Sequence, residues 1–388
     1  MDKNNPFKPG NGQMPPLLAG RDGVKQDIKG LLEALNVPYG VPSDIILYGP
    51  RGNGKTVLLG WLENHCIAGP KYTVLRITPS SSMSLKEQLM ASLGTALSQV
   101  TTEGSGSLGV MFAKLGGKRS VVQSSQAEPL SNFLIKQARK NPLVLLVDEA
   151  HTMPADWGQE LLNVSQDVRQ KAPFLLLLAG TPGLREQMSS INASFWTRSE
   201  VIPLSRLDEQ GAAAAIVQPL LKEGISLDPD VMSQVVSESQ HYPFFIQVWG
   251  AALWNTARKA ECTQIDQALL ADAWSEFNYR KNLFYQNLYN EMIEEHVTLA
   301  ALSVAKAFKD RQAISYIELG NILAGRMVGI DPPDDVLATI RELKNLGYIW
   351  QDSASSDWQP GIPSLMTHVL TEAQKLTPDN SGEYNGLD

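Results

Sequence analysis

Eight consecutive residues, Gly49, Pro50, Arg51, Gly52, Asn53, Gly54, Lys55 and Thr56, follow the spacing G-x-x-x-x-G-K-[ST]. That pattern suits phosphate. Glycines let successive backbone N–H groups turn inward as an anion nest, and a helix starting at the lysine adds its partial positive charge. Lys55 is expected to reach the β- and γ-phosphates of a nucleoside triphosphate, and the Thr56 hydroxyl to ligate Mg²⁺. Val57 carries the loop into the first helical turn beside them. Further along, Asp148 and Glu149 close the apolar run LVLLV. From there Asp148 can complete the Mg²⁺ shell through water, and Glu149 can orient or deprotonate the attacking water. His151 is either a relay residue or a polar contact at the strand end. Together the two segments point to Mg²⁺-dependent hydrolysis of a nucleoside triphosphate.

These groups work only if strands and helices hold them in place. DIILYG (44–49) reads as a buried strand before the phosphate loop, with a helix over 55–67 after it. YTVLRIT (72–78) is a second strand and 84–99 a second helix. LVLLVDEAH (143–151) and FLLLLAG (174–180) are continuous apolar runs ending in polar residues, as expected of parallel strands covered on both faces. Strand-length runs alternating with helices indicate an α/β fold with a parallel sheet. Val24, Ile28, Leu31 and Leu35 recur at helical spacing, with Asp22 as the expected N-cap. Past Arg206 the pattern is helical only, through about residue 292.

Composition excludes several classes. The chain has 388 residues, 43% apolar, with 33 basic and 41 acidic residues. It is neither disordered nor fibrous, and the net charge of −8 is unlike a strongly basic nucleic-acid binder. Cys66 and Cys262 lie far apart, which suits a reducing compartment. The longest uncharged stretch, 239–257, is interrupted by Gln240, His241, Gln247 and Asn255, so no membrane span is expected. MDKNNPFKPGNG has no apolar signal core, and the chain reads as cytoplasmic. His65, His151, His241, His296 and His368 show no zinc spacing with either cysteine.

At this point the sequence resembles the AAA+ ATPases. The strand–GPRGNGKT–helix, the DEAH and the LLLLAGTPGL carry the likeness over about 15–375. More narrowly, they resemble the branch of replication-initiator and origin-recognition ATPases with the related STAND and transposition ATPases. The resemblance implies a P-loop AAA+ parallel-sheet core (15–205), an α-helical lid (206–292) and a C-terminal winged-helix domain (293–375). An extended arm (1–14) precedes them and a tail (376–388) follows. It further implies that Gly20 and Arg21, in PPLLAGRD, belong to the segment closing over the adenine. Thr181 takes the sensor-1 position near the γ-phosphate. Arg198, in FWTRSEVIPL, is the arginine finger, with Arg206 as runner-up. One departure is informative. In QHYPFFIQVWGAALW (240–254), Pro243 is followed by Phe244 and Phe245, where the family carries a sensor-2 arginine. Slow or partner-stimulated hydrolysis is therefore expected, with the finger supplied by a second subunit of a homo-oligomer.

The partner is less clear from the residues. Residues 104–127 hold Lys114, Lys118 and Arg119 with no acidic residue, either a solvated loop or a basic hairpin for DNA phosphates. Three helical patterns at 297–308, 315–323 and 335–346, then YIW and the turn DSASSDW, resemble a winged helix. From Glu295 onward, however, seven cations face thirteen anions, which favours protein contact over DNA reading. Three functions follow: an initiator- or transposition-like ATPase on DNA, a STAND-like signalling or defence switch with protein partners, or a nucleotide-gated scaffold with little turnover.

Overall fold

A computed structural model describes residues 4–10, 12–37, 42–67, 72–103, 128–325, 336–351 and 357–376. The basic stretch with Lys114, Lys118 and Arg119, the turn at 352–356 and the tail beyond 376 lie outside the described residues.

The core is a five-stranded sheet. In chain order it contains β1 (Ile45–Tyr48), β2 (Thr73–Ile77), β3 (Leu143–Val147), β4 (Phe174–Gly180) and β5 (Glu200–Pro203). They lie in the order β2-β3-β4-β1-β5, all parallel, and this is the P-loop AAA+ arrangement. The apolar runs are explained by burial on two sides. Leu145 and Val147 face one core with α3 (Leu85–Glu103), α4 (Leu130–Ala138) and α5 (Ala155–Lys171). Val144 and Leu146 face the other, with α1 (Asp22–Ala34) and α2 (Lys55–Ile67). A continuous parallel strand has no solvent side on which a polar residue could sit. Two short helices, α6 (Leu184–Ile191) and α7 (Ala193–Arg198), lead from β4 to β5.

Helix α1 begins one residue earlier than its expected cap allows. Arg21, not Asp22, occupies the N-cap, and no side chain caps the helix. The Arg21 guanidinium is instead drawn inward.

After β5 come α8 (Glu209–Lys222), α9 (Pro229–Glu238), α10 (Pro243–Lys259) and α11 (Gln267–Glu294). The expectation of helices alone needs one correction: Ser226–Leu227 (β6) and Gln264–Ile265 (β7) form a two-residue parallel pair. Runs that short leave no periodicity to read. Aromatic side chains fill much of the interior of this helical segment, while Phe244 is half-buried and lines a cavity. Phe245 and Trp249 are fully buried, and Trp249 stacks on Phe277 at 4.2 Å.

The C-terminal part comprises α12 (Thr298–Ala307), α13 (Tyr316–Ala324), α14 (Val336–Asn345), β8 (Ile349–Trp350), β9 (Gln359–Pro360) and α15 (Leu365–Leu376). β8 and β9 pair antiparallel, and Ile314 bridges Trp358. The boundary expected at 292 falls inside the last turn of α11. One apolar core, from Leu207 to Val369, runs without a break through both segments. The C-terminal part also rests on the sheet domain. Lys344, 5% exposed, is ion-paired with Glu186 of α6, and Gly347 approaches Pro50 and Arg51.

Candidate functional site

The phosphate loop leaves β1 at Gly49, whose N–H donates to the Gly180 carbonyl at the end of β4 (3.2 Å). That bond sets the loop beside Thr181. Lys55, 6% exposed, donates from Nζ to the carbonyls of Gly49 (2.8 Å) and Pro50 (2.9 Å). Burial lowers its pKa to about 8, although Glu149 and Asp148 pull the other way. A cation held at that cost beneath glycine N–H groups is a site for an anion.

Gly52 shows why this loop needs glycine. Its φ is +80°, and a Cβ would overlap the Tyr242 hydroxyl and lie 2.8 Å from Tyr242 Cζ. Tyr242, at the start of α10, donates its hydroxyl proton to the Arg51 carbonyl. The lid therefore rests directly on the loop. Arg51 reaches in the opposite direction, pairing with Glu291 of α11 at 2.5 Å.

Asp148 follows β3, its N–H bonded to the Ile77 carbonyl. Its Oδ1 accepts from the Thr56 hydroxyl (3.3 Å) and from the Glu149 N–H (3.1 Å). The metal pair expected from sequence is thus brought together. Among the described residues no cluster of three His, Cys, Asp or Glu could hold a metal alone. Thr56 and Asp148 would hold Mg²⁺ jointly with the phosphates. The bound ion would neutralise charge on the transferring phosphoryl group. Glu149 adopts a left-handed backbone (φ 48°, ψ 39°), a conformation costing an L-residue about 1–2 kcal/mol. This turn leaves its carboxylate half exposed.

His151 sits between two of the expected groups. Its Nδ1 lies 3.4 Å from Glu149 Oε2 and 3.4 Å from the Thr181 N–H. Burial, then the charges of Lys55 and Arg51, lower its pKa to about 4, so the ring is neutral at pH 7. It is a polar link between the ends of β3 and β4.

Two buried polar atoms here have no hydrogen-bond partner among the described residues, Asn53 Oδ1 and Thr181 Oγ1. An orphaned buried acceptor or hydroxyl costs roughly 1–3 kcal/mol, and Asn53 is in the wall of the cavity above the loop. Arg21, 7% exposed, donates to the Asn53 (3.2 Å) and Ser205 (2.6 Å) carbonyls, and burial lowers its pKa to about 10 against the pull of Asp208. It braces the loop against the exit of β5, and Gly20 packs beside it on Leu207. Gly20 does not line the cavity. A cavity of about 450 Å³ opens over the loop, with Leu17, Leu18, Val57, Leu207 and Ile246 among its apolar lining.

The two arginines proposed as fingers lie elsewhere. Glu200 pairs with Ile45 and Pro203 with Tyr48, so β5 begins at the end of the strands opposite the phosphate loop. Arg198 precedes that far end of the strands and is exposed over the Phe195 ring at 5.7 Å. Arg206 is turned towards Pro360 of the C-terminal part.

Sequence reasoning missed four groups. Arg76 on β2 donates to Asp148 Oδ2 (2.9 Å), to the Thr56 carbonyl (3.3 Å) and to Glu63 (3.3 Å). A lone cation in the otherwise apolar strand TVLRI was its signal. Tyr242 and Glu291 gave none, because each meets the loop from far along the chain; in the N-terminal arm the lone aromatic Phe7 was the only cue.

Comparison with known proteins bears on the family and the fold. Residues 43–188 match the family described as AAA domain. Origin recognition complex subunit 4 of Rattus norvegicus is 24% identical over 276 residues, 67% of this chain and 55% of that protein. The chain thus spans about half the length of that curated relative. Two solved structures share the fold. The Walker-type ATPase PABY2304 of Pyrococcus abyssi superposes with a TM-score of 0.63 at 15% identity, covering 90% of this chain and 95% of that one. The ORC2 protein of Aeropyrum pernix, in its ADPNP–ADP complexes, gives 0.55 at 13% identity, covering 94% and 98%.

Proposed function

We propose that this chain, which carries an AAA domain on the P-loop AAA+ fold and resembles origin-recognition ATPases, binds and hydrolyses ATP as a conformational switch. The observation that carries the reading is the meeting of Lys55, Thr56 and Glu149 around one cavity, with Asp148 accepting from the Thr56 hydroxyl behind them. Lys55 would bind the β- and γ-phosphates, and Thr56 with Asp148 would hold Mg²⁺. Glu149 would take the proton of the attacking water, with Thr181 Oγ1 near the γ-phosphate. Lid and loop touch through Tyr242 and Arg51, so phosphate contacts would alter how the lid sits.

The switch would work in an oligomer, because Arg198 precedes the end of the strands opposite its own phosphate loop and is exposed for a neighbour's. Its target is DNA or a DNA-associated protein assembly, as the similarity to origin-recognition proteins suggests. One observation favours protein contact for the C-terminal segment, whose helix order and hairpin fit a winged helix. Lys344 of its third helix is ion-paired to Glu186 rather than free for phosphate.

The test is Mg²⁺-dependent hydrolysis by the parent, Lys55→Ala and Glu149→Gln, with and without duplex DNA. Lys55→Ala should lose binding. Glu149→Gln should bind ATP and hydrolyse it at least about 100-fold more slowly. Parent-like binding by Lys55→Ala would end this reading.

A further inference from the structure

We propose that the N-terminal arm is part of the nucleotide site and that its Lys8 is the lid-borne cation for the phosphates. The inference rests on reading the cavity as an ATP site.

The arm reads in sequence as a plain extended segment, but it is built into the lid. Phe7 is 3% exposed within the lid core, its ring seated on Gly250 of α10, where a Cβ would overlap it. Asn5 Nδ2 donates to the Ala251 carbonyl (3.1 Å) and to Asn255 Oδ1 (2.9 Å), both on α10. Asn5 Oδ1 in turn accepts from the Phe7 N–H (2.9 Å). Residues 5–7 must therefore move with α10.

Beyond this anchor the arm crosses to the phosphate loop. Lys8, Gly10, Gly12 and Gln13 line the same cavity as Lys55 and Thr56. Gly12 (φ +61°) lies so close to Thr56 that a Cβ there would overlap the threonine methyl and sit 3.1 Å from its Cβ. One end of this short strap is fixed to the lid and the other touches the residue that would ligate the metal.

Charge decides what the strap contributes. The cations lining the cavity are Lys8, Arg21, Arg51 and Lys55. Arg21 is engaged by two carbonyls and Arg51 by Glu291. The stretch of α10 lining the cavity offers Pro243, Phe244, Ile246 and Gln247, with no cation. Arg258, at the far end of α10, is paired with Glu223 and lies over Trp254. Lys8 is exposed and has no ion pair or hydrogen bond among the described residues. It is the charge by which the lid can register phosphates, and a γ-phosphate would pull arm and lid together.

The experiment is equilibrium binding of fluorescent ATP and ADP, with adenosine as competitor, to the full chain in Mg²⁺. Lys8→Ala should weaken ATP about tenfold, the loss of one partly solvated charge contact, and ADP by no more than about twofold. Lys8→Arg should restore ATP affinity. Asn5→Ala should weaken ATP severalfold in the parent but add nothing to Lys8→Ala, since it acts only by placing that lysine. Unchanged ATP affinity in Lys8→Ala, with binding lost in Lys55→Ala, would overturn the arm's role and leave the ATP site standing. Equal losses for ATP, ADP and adenosine would put Lys8 on the base and overturn the phosphate assignment. Parent-like ATP binding by Lys55→Ala would instead remove the reading beneath both.

Discussion

Replacing Lys55 by Met should stabilise the nucleotide-free protein while abolishing ATP binding. Burial lowers the Lys55 pKa from 10.5 to about 8. At about 1.4 kcal/mol per unit, the buried ammonium costs roughly 3 kcal/mol. The sign follows from linkage. Below about pH 8 the lysine is protonated in folded and unfolded chains alike, and the cost is full. Between about 8 and 10.5 the folded chain releases its proton first, and the cost fades. Methionine matches the length of the side chain and removes the charge. It also leaves the Gly49 and Pro50 carbonyls without their donor, returning about 2 kcal/mol of the gain. The net gain at pH 7 is about 1 kcal/mol, on the order of 2 °C in Tm for a chain this long. At pH 9.5 the parent should have recovered about 2 kcal/mol, so the order of stability inverts. The measurement is the difference between parent and variant melting temperatures across that range, in which other titrating lysines and tyrosines cancel. Parallel curves from pH 7 to 9.5 would refute the argument. Parent affinity for ATP should also fall above about pH 8, where the empty loop has lost its ammonium.

Three other substitutions probe different contacts. Arg76→Ala removes the cation beside Asp148, so the Mg²⁺ concentration for half-maximal nucleotide binding should drop about threefold. An unchanged or higher requirement, read by metal titration, would show that Arg76 does not oppose the metal. Gly52→Ala forces a Cβ into Tyr242 at a positive φ and should cost about 2–4 kcal/mol, visible as a lower Tm and weaker ATP binding. A Tm equal to the parent's would mean the lid does not bear on the loop. Arg198→Ala should bind ATP normally and hydrolyse it about 10³-fold more slowly, the scale of a lost finger. Mixing it with Lys55→Ala should restore part of the activity; hydrolysis at the parent rate by Arg198→Ala alone removes that role.

The parts of the site that were legible in sequence are the local ones. Loop, preceding strand and following helix are contiguous, so GPRGNGKT shows its own context. Strands β3 and β4 announced themselves because burial on both faces leaves no polar alternation. Contacts across hundreds of residues left no trace. Arg51 with Glu291 and Tyr242 with Arg51 depend on how α10 and α11 pack, which no local pattern encodes. Asp22 is of a type that suits a cap, but the residue before it, Arg21, occupies that place and donates to the carbonyls of Asn53 and Ser205. The arm reads as plain linker because proline, glycine and asparagine dominate it; its single aromatic, Phe7, was the signal. An apolar ring in a polar segment needs somewhere to go.

The unbroken helix α11 has a mechanical consequence. Its 28 residues give a rod about 42 Å long. Near its start, Ala273 and Phe277 are gripped by the lid core, while Tyr285 donates to the Pro363 carbonyl and Glu291 holds Arg51. A rod clamped at both ends cannot let its two attachments tilt separately. A rotation of only about 5° at the lid end would sweep the other by roughly 4 Å, close to the spacing of neighbouring strands. The ion pair with Arg51 lies near that outer end, where leverage is greatest. A small rotation at the lid end is thus geared up along α11 into a larger shift where Glu291 holds the phosphate loop through Arg51.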